Sequence, residues 1–230
     1  MEAVMEKPVR AKKAVKNGVN GHDPLQPLTE VFKRSGFVIL GEKMSKEEFE
    51  AFSVSQELLQ MERESDGTVI IMPVHRASGK RELRVGTFVE MWRYQTQKGD
   101  AYGPSAGFDL PAGSTRSADA AWISDERMES TNPEEEENSF KGPVPDFVVE
   151  VRSGSDRIER VKEKMKSVWM KNGVRLAWLI DPYDEKAYLY REGEEEPEIV
   201  KGFSGKKLSG ENVMPGFEFP LDAVMLKKKK

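Results

Sequence analysis

Two segments of the chain set a carboxylate into apolar surroundings: Asp119 in "RSADAAWIS" and Glu150 in "PDFVVEVRS". Phe147, Val148, Val149 and Val151 form the continuous apolar run of an interior strand, and Ala120 to Ile123 form another with Asp119 at its head. A carboxylate in such a place is costly by several kcal/mol unless it takes up a proton, meets a cation or metal, or has a dedicated donor. If the two strands pair antiparallel or cross, Asp119 and Glu150 meet, and two neighbouring carboxylates repel unless they share a proton or a divalent cation. The plainer alternative is that each caps a turn or pairs with an arginine, Arg116 for Asp119 and Arg152 for Glu150.

Cations stand near both acids in sequence. Arg152 lies two residues beyond Glu150, on the same face of the strand, where a phosphate-hydrolysing site can use positive charge. Lys164 sits about a quarter-turn from the apolar stripe of the following helix, so its stem can follow the core edge while its ammonium reaches the strand ends. Spacing alone also fits a snorkelling surface lysine. Asp146 completes a literal "PD", but four residues at a rise of roughly 3.3 Å separate it from Glu150 by more than about 10 Å, too far to share one ion. It suits the turn into the strand, and Trp122, Trp169 and Trp178 suit the core.

Composition narrows the chemistry. The 230 residues include no cysteine and two histidines, His22 and His75. Thiolate zinc sites, a cysteine nucleophile and a histidine-rich metal centre are therefore excluded, and any metal is held mainly by oxygen, which favours Mg²⁺ or Mn²⁺. The net charge of −4 argues against general coating of nucleic acid, although it averages acidic runs ("PEEEEN", "EGEEEPE") against basic ones ("VRAKKAVK", "KEKMKS", "KKKK"). No run reaches the length of a membrane span and residues 1–27 lack the apolar core of a signal peptide, which points to a cytoplasmic protein without a membrane partner.

Residues 1–24 read as a disordered basic arm, residues 25–226 as a single domain and 227–230 as a basic tail. Ser45 and Glu48 form a capping-box pattern at the head of a helix in "SKEEFEAFSVSQELLQ". A strand follows in "GTVIIMP", then a long helix between Gly79 and Gly99 on Leu83, Val85, Val89 and Trp92. "GFDLPAG" reads as a short strand and turn, "ADAAWIS" and "DFVVEV" as strands, and "TNPEEEENSFKGP" as a polar loop. In "SGSDRIERVKEKMKSVWMKNG" the stripe Ile158, Val161, Met165, Val168 and Trp169 makes a helix, capped by Ser155 or Asp156 and ended by Gly173. "RLAWLID", "KAYLYRE" and "VMPGFEFPL" complete the strands. The order is that of an α/β protein with a mixed central sheet flanked by helices, carrying an additional N-terminal helix and strands.

The order "RSADAAWI", "PDFVVEVRSGSDRI", "EKM", "NGVRLAWLIDP" resembles the Uma-type putative restriction endonuclease family, a branch of the PD-(D/E)XK nuclease superfamily. The likeness begins in "FEAFSVSQELLQMERESDGTVIIMP", passes through "GFDLPAG" and ends in "MPGFEFPL", so it spans most of residues 45–221. It implies a restriction-endonuclease-like core, a Mg²⁺-dependent site and hydrolysis of phosphodiester bonds in DNA. Matched position by position, Asp119 is the Asp of the family's "PD" strand, with Ala118 in place of the proline, and Glu150 is the acid of the next strand. The superfamily's lysine two positions later is Arg152 here, and Lys164 in "EKM" matches the lysine that such families supply from the following helix. Glu62 in "MERESDG" matches a further acidic position, metal-proximal or supporting. The backbone carbonyl of Val151 matches a ligand that related sites use. The count back from "NGV" leaves one extra residue within "KMKSVW", so Lys162 and Lys166 stand beside Lys164 as candidates.

The resulting expectation is an endonuclease in which Asp119 and Glu150 hold Mg²⁺ and Lys164 orients water or neutralises the transition state. Its partner is DNA, and symmetry of double-strand cutting suggests a homodimer. Two alternatives stay open: an inactive nuclease-fold protein that binds nucleic acid, and a structural or interaction module with these residues in ion pairs.

Overall fold

The structure is a computed structural model describing residues 38–55, 60–72, 75–129 and 131–226. The arm over 1–24, the start of the domain at Leu25 and the tail over 227–230 lie outside the described residues. In chain order the elements are β1 (Val38–Lys43), α1 (Lys46–Ser55), β2 (Gln60–Arg63), β3 (Thr68–Met72), α2 (Arg76–Thr96), β4 (Asp100–Tyr102), β5 (Phe108–Asp109), β6 (Thr115–Arg116), β7 (Ala120–Ile123), α3 (Asp125–Met128) and α4 (Pro133–Asn138). They continue with β8 (Phe147–Val151), α5 (Ile158–Lys164), β9 (Leu176–Asp181), β10 (Lys186–Arg191), β11 (Glu198–Lys201), β12 (Lys207–Ser209) and β13 (Glu218–Pro220).

Among the described residues the main sheet runs β11-β10-β9-β8-β7-β4 and a second sheet runs β1-β3-β2-β6-β5. Only β8 and β9 pair parallel in the main sheet, because α5 carries the chain back between them; its other neighbours are antiparallel. Every residue of β7, β8 and β9 is buried, which explains their near-continuous apolar sequences. Alternate side chains serve the two faces. Phe147, Val149 and Val151 pack with Val85, Val89 and Trp92 of α2 and with Phe217 and Phe219. Val148 and its neighbours Ala177 and Leu179 pack on the other face with Met165 and Trp169.

The capping box forms as read: Ser45 N–H donates to Glu48 at 2.8 Å and Glu48 N–H to the Ser45 hydroxyl at 3.1 Å. The long helix forms too, but Leu83 is 71 % exposed and leaves the stripe; the buried residue one turn before Val85 is Arg81, with the half-buried Glu82 beside it. "TNPEEEENSFKGP" is not all loop, since Asn132 caps Glu134 N–H and Pro133 opens α4. The helix after β8 begins at Ile158 rather than near Ser155, because the Asp156 carboxylate turns back to accept from Ser153 N–H at 2.7 Å. Gly173 ends that helical segment at φ 95°. No described helix is long and apolar enough to cross a membrane.

Candidate active site

The β7–β8 ladder sets the acids together. Ala120 pairs with Val149, so one step outward Asp119 stands across from Glu150 on the same sheet face. Asp119 Oδ2 accepts from Val151 N–H at 2.6 Å, which ties the carboxylate to the end of the neighbouring strand. Glu150 Oε1 accepts from Trp169 Nε1 at 2.8 Å and lies 2.8 Å from Lys164 Nζ. Lys164 also donates to Glu62 Oε1 at 2.7 Å and to the Ser117 carbonyl at 3.2 Å. Glu62 Oε2 meets Arg116 Nη1 at 3.1 Å, and Arg116 continues to Glu64. The result is a chain of alternating charge from Glu150 through Lys164, Glu62 and Arg116 to Glu64, joining β8 of the main sheet to β2 and β6 of the second.

The electrostatics divide the acids into two kinds. Burial raises the Asp119 carboxyl, and the neighbouring charges of Glu150 and Glu82 raise it further, to well above the usual aspartate range. Glu150 is likewise raised by burial, which Lys164 only partly offsets. Burial would raise Glu62 as well, but Lys164 and Arg116 outweigh it and hold that carboxyl below the usual range. Burial would lower Lys164, yet Glu150 and Glu62 more than compensate and keep it an ammonium. Glu62 is thus a satisfied anion, whereas Asp119 and Glu150 are crowded ones.

A cavity of about 500 Å³ opens on these groups. Its wall carries seven acids (Glu62, Glu64, Glu82, Asp119, Glu150, Asp156 and Glu163) against four bases (Arg116, Arg157, Arg160 and Lys164). With all seven acids ionised, a phosphate meets net negative charge there unless a cation intervenes. Glu82, on the inner face of α2, is raised by burial and by the Glu150 charge, so it looks onto the same pair. Sequence reading missed it, because the apolar Leu83 beside it was read as the inward-facing position.

The donor set suits Mg²⁺ or Mn²⁺. Among the described residues Asp119 Oδ1 and Glu150 Oε2 accept no hydrogen bond, leaving each acid one oxygen for an ion. No three Asp, Glu or His side chains among the described residues stand at ligating spacing. Mg²⁺ characteristically keeps several waters and uses one or two carboxylates, so a pair suffices. Val151 contributes its amide N–H to Asp119 and lines the cavity.

Arg152 is not brought to this site. The chain leaves β8 after Val151, and the guanidinium turns to the fully buried Asp181 at 2.8 Å and the Tyr183 ring. Nor do the alternative pairs form, because Arg116 meets Glu62 and Glu64 instead of Asp119, and Glu150 meets Lys164. Of the three helix lysines, Lys162 pairs with Glu159 and Lys166 with Glu196, which leaves Lys164 at the acids. Asp146 holds Ser124 N–H, Arg127 and Arg175 at the start of β8, away from the cavity.

The family model described as Uma2, putative restriction endonuclease, matches residues 46–222. No curated protein matches the chain. Among solved structures, a putative nuclease of the DUF820 group from Anabaena variabilis is similar at a TM-score of 0.59 and 16% identity, covering 79% of this chain and 97% of that one. At that identity the likeness shows the fold, a restriction-endonuclease-like mixed α/β core.

Proposed function

The chain belongs to the Uma2 putative restriction endonuclease family, and on that premise we propose that it is a Mg²⁺-dependent endodeoxyribonuclease whose site is Asp119, Glu150 and Lys164. The observation that carries the reading is the pair Asp119 and Glu150, opposed across β7 and β8, each with one oxygen that accepts no hydrogen bond among the described residues and both with raised pKa. Asp119 and Glu150 would hold the ion, with Glu82 as a further carboxylate near it. A divalent cation held there would acidify water for attack and offset charge developing on the scissile phosphate.

The protein's own groups do the rest. The Val151 N–H fixes the rotamer of Asp119, so its other oxygen is not spent on the backbone. Lys164 remains an ammonium at neutral pH and would supply counter-charge near the phosphate; it is not a general base. Glu62 and Arg116 orient Lys164 from behind, which assigns them support and not contact with the substrate. DNA is the substrate proposed, and two copies acting on opposite strands would cut a duplex.

One observation favours the structural alternative. The three N–H bonds of Lys164 find three acceptors, Glu62, Glu150 and the Ser117 carbonyl, as in a closed ion-pair network. The deciding experiment is calorimetric titration of Mg²⁺ and Mn²⁺ into the wild type and Glu150→Gln, with both assayed on plasmid and single-stranded DNA. Metal binding and cleavage in the wild type, both lost in the variant, are the expected result. A wild type that binds no divalent cation overturns the nuclease in favour of the network.

A further inference from the structure

Trp169 is fully buried, yet its indole nitrogen does not face hydrocarbon. The four indoles of the chain have different fates: Trp92 donates to the Pro215 carbonyl, Trp122 to the Lys98 carbonyl, Trp178 finds no acceptor among the described residues, and Trp169 alone donates to a carboxylate. That carboxylate is Glu150, and the acceptor is the same Oε1 that Lys164 approaches. The Lys164 ammonium also stands 5.7 Å from the Trp169 ring centroid, so the two side chains lie together on one face.

An unbroken α-helix does not allow this. Residues five apart in an α-helix point roughly 140° away from each other at 3.6 residues per turn. Here α5 runs without interruption into a π turn, Met165–Trp169, followed by a 3-10 turn, Met170–Asn172. Met170 N–H is shared between the Lys166 carbonyl four residues back and the Met165 carbonyl five residues back, and Val174 N–H likewise reaches five residues back to the Trp169 carbonyl at 3.3 Å. A turn closed by such bonds returns residues five apart to nearly the same face and absorbs one extra residue without rotating what precedes it. The extra residue counted within "KMKSVW" falls in this turn. Met165 and Trp169 thereby stay in the core while Lys164 stays at the acids.

We infer that Trp169 is a positioning residue for Glu150, delivered by the π turn: its N–H and the Lys164 ammonium converge on Oε1, fix the carboxylate and leave Oε2 to face a ligand. The inference rests on the nuclease reading only for the identity of that ligand. Lys164 supplies charge and Trp169 supplies direction.

The test uses full-length protein labelled with ¹⁵N at its indoles, with the Trp169 resonance assigned through Trp169→Phe. In metal-free protein, Glu150→Gln is expected to move the Trp169 resonance and leave the other three in place. Mg²⁺ is expected to move the same resonance in the wild type. Trp169→Phe should weaken Mg²⁺ binding and lower kcat by roughly 10-fold or more, with KM for DNA unchanged. Deleting Ser167, an exposed residue of the π turn, sets Lys164 and Trp169 four apart, the same-face spacing of a regular helix, so metal affinity and the resonance should persist. A Trp169 resonance indifferent to Glu150→Gln, or a Trp169→Phe protein with wild-type metal affinity and kcat, overturns the positioning role. A Ser167 deletion that folds but loses metal binding, or does not fold, overturns the part given to the π turn. If the wild type binds no metal the nuclease reading fails, while the metal-free resonance still decides the Trp169–Glu150 contact.

Discussion

Lys164 is the residue on which the buried charges depend. Its side chain is 19% exposed and that of Glu62 only 3%, so little solvent screens their contact. Lys164→Met strands Glu150 without its cation and leaves Glu62 with Arg116 alone, and urea unfolding should show a loss of about 3–5 kcal/mol together with loss of cleavage. Asp119 behaves oppositely. Its folded pKa lies above the unfolded value, so the folded state keeps the proton longer, and stability falls as pH rises from the ordinary aspartate range through the raised one. Asp119→Asn removes that penalty, and its amide oxygen can still accept from Val151 N–H. Metal-free Asp119→Asn should therefore melt higher than wild type at pH 7 to 8, converge with it below the ordinary carboxylate range, and bind no Mg²⁺. Glu62 has the reverse sign, since its lowered pKa gives stability that is lost on acidification through the folded value. Asp119 and Glu150 were legible because a carboxylate interrupts an apolar run; Glu82 was not, because Leu83 beside it took the apolar reading.

At the scale of elements, position is set by how strands and helices end. Gly99 lies between α2 and β4 at φ 58°, and a Cβ there would stand 2.1 Å from the Ile123 carbonyl oxygen and 2.7 Å from Trp122 Nε1. Gly99→Ala thus adds a backbone clash to the ~1–2 kcal/mol cost of a left-handed alanine. Because β4 pairs with β7 over Asp100 to Tyr102, the shift passes along the strand headed by Asp119. A lowered melting temperature and a fall in activity larger than the unfolded fraction explains are expected, read by calorimetry and a cleavage assay on the same sample. The helix after β8 teaches a second lesson. Its apolar stripe was legible, but the π turn that reconciles Lys164 with Trp169 was visible only as a miscount of one residue. Periodicity averages over a helix and does not register a single wide turn.

At the scale of the whole molecule, the site lies where the chain crosses from one sheet to the other, between β6 and β7. Glu62 and Arg116 come from the second sheet, Asp119 and Glu150 from the main sheet, Glu82 and Lys164 from helices on either side. Crowding seven acids against four bases around one cavity leaves the metal-free protein with repulsion that a divalent cation would relieve. An ion that binds only the folded state at 100 times its Kd stabilises by about 2.7 kcal/mol. The melting temperature should accordingly rise with Mg²⁺, return with chelator, and fail to rise in Glu150→Gln.

The sequence by itself determined the strands β3, β5, β7 to β10 and β13, the long helices, the capping box and the two carboxylates, because burial writes itself into local patterns of apolar residues; it missed β1, β2, β4, β6, β11 and β12, and it ran the first helix through Gln60, which opens β2. Even the sense of the β7–β8 pairing was among the few arrangements those patterns allowed. Tertiary structure alone decided the partners. Lys164 meets Glu62 across 102 positions of sequence, Arg152 turns from Glu150 to Asp181, and Arg116 turns from Asp119 to Glu62 and Glu64. A charge in a poorly solvated site is claimed by whichever opposite charge the fold brings nearest, and that competition is between side chains distant in sequence, which no local pattern records.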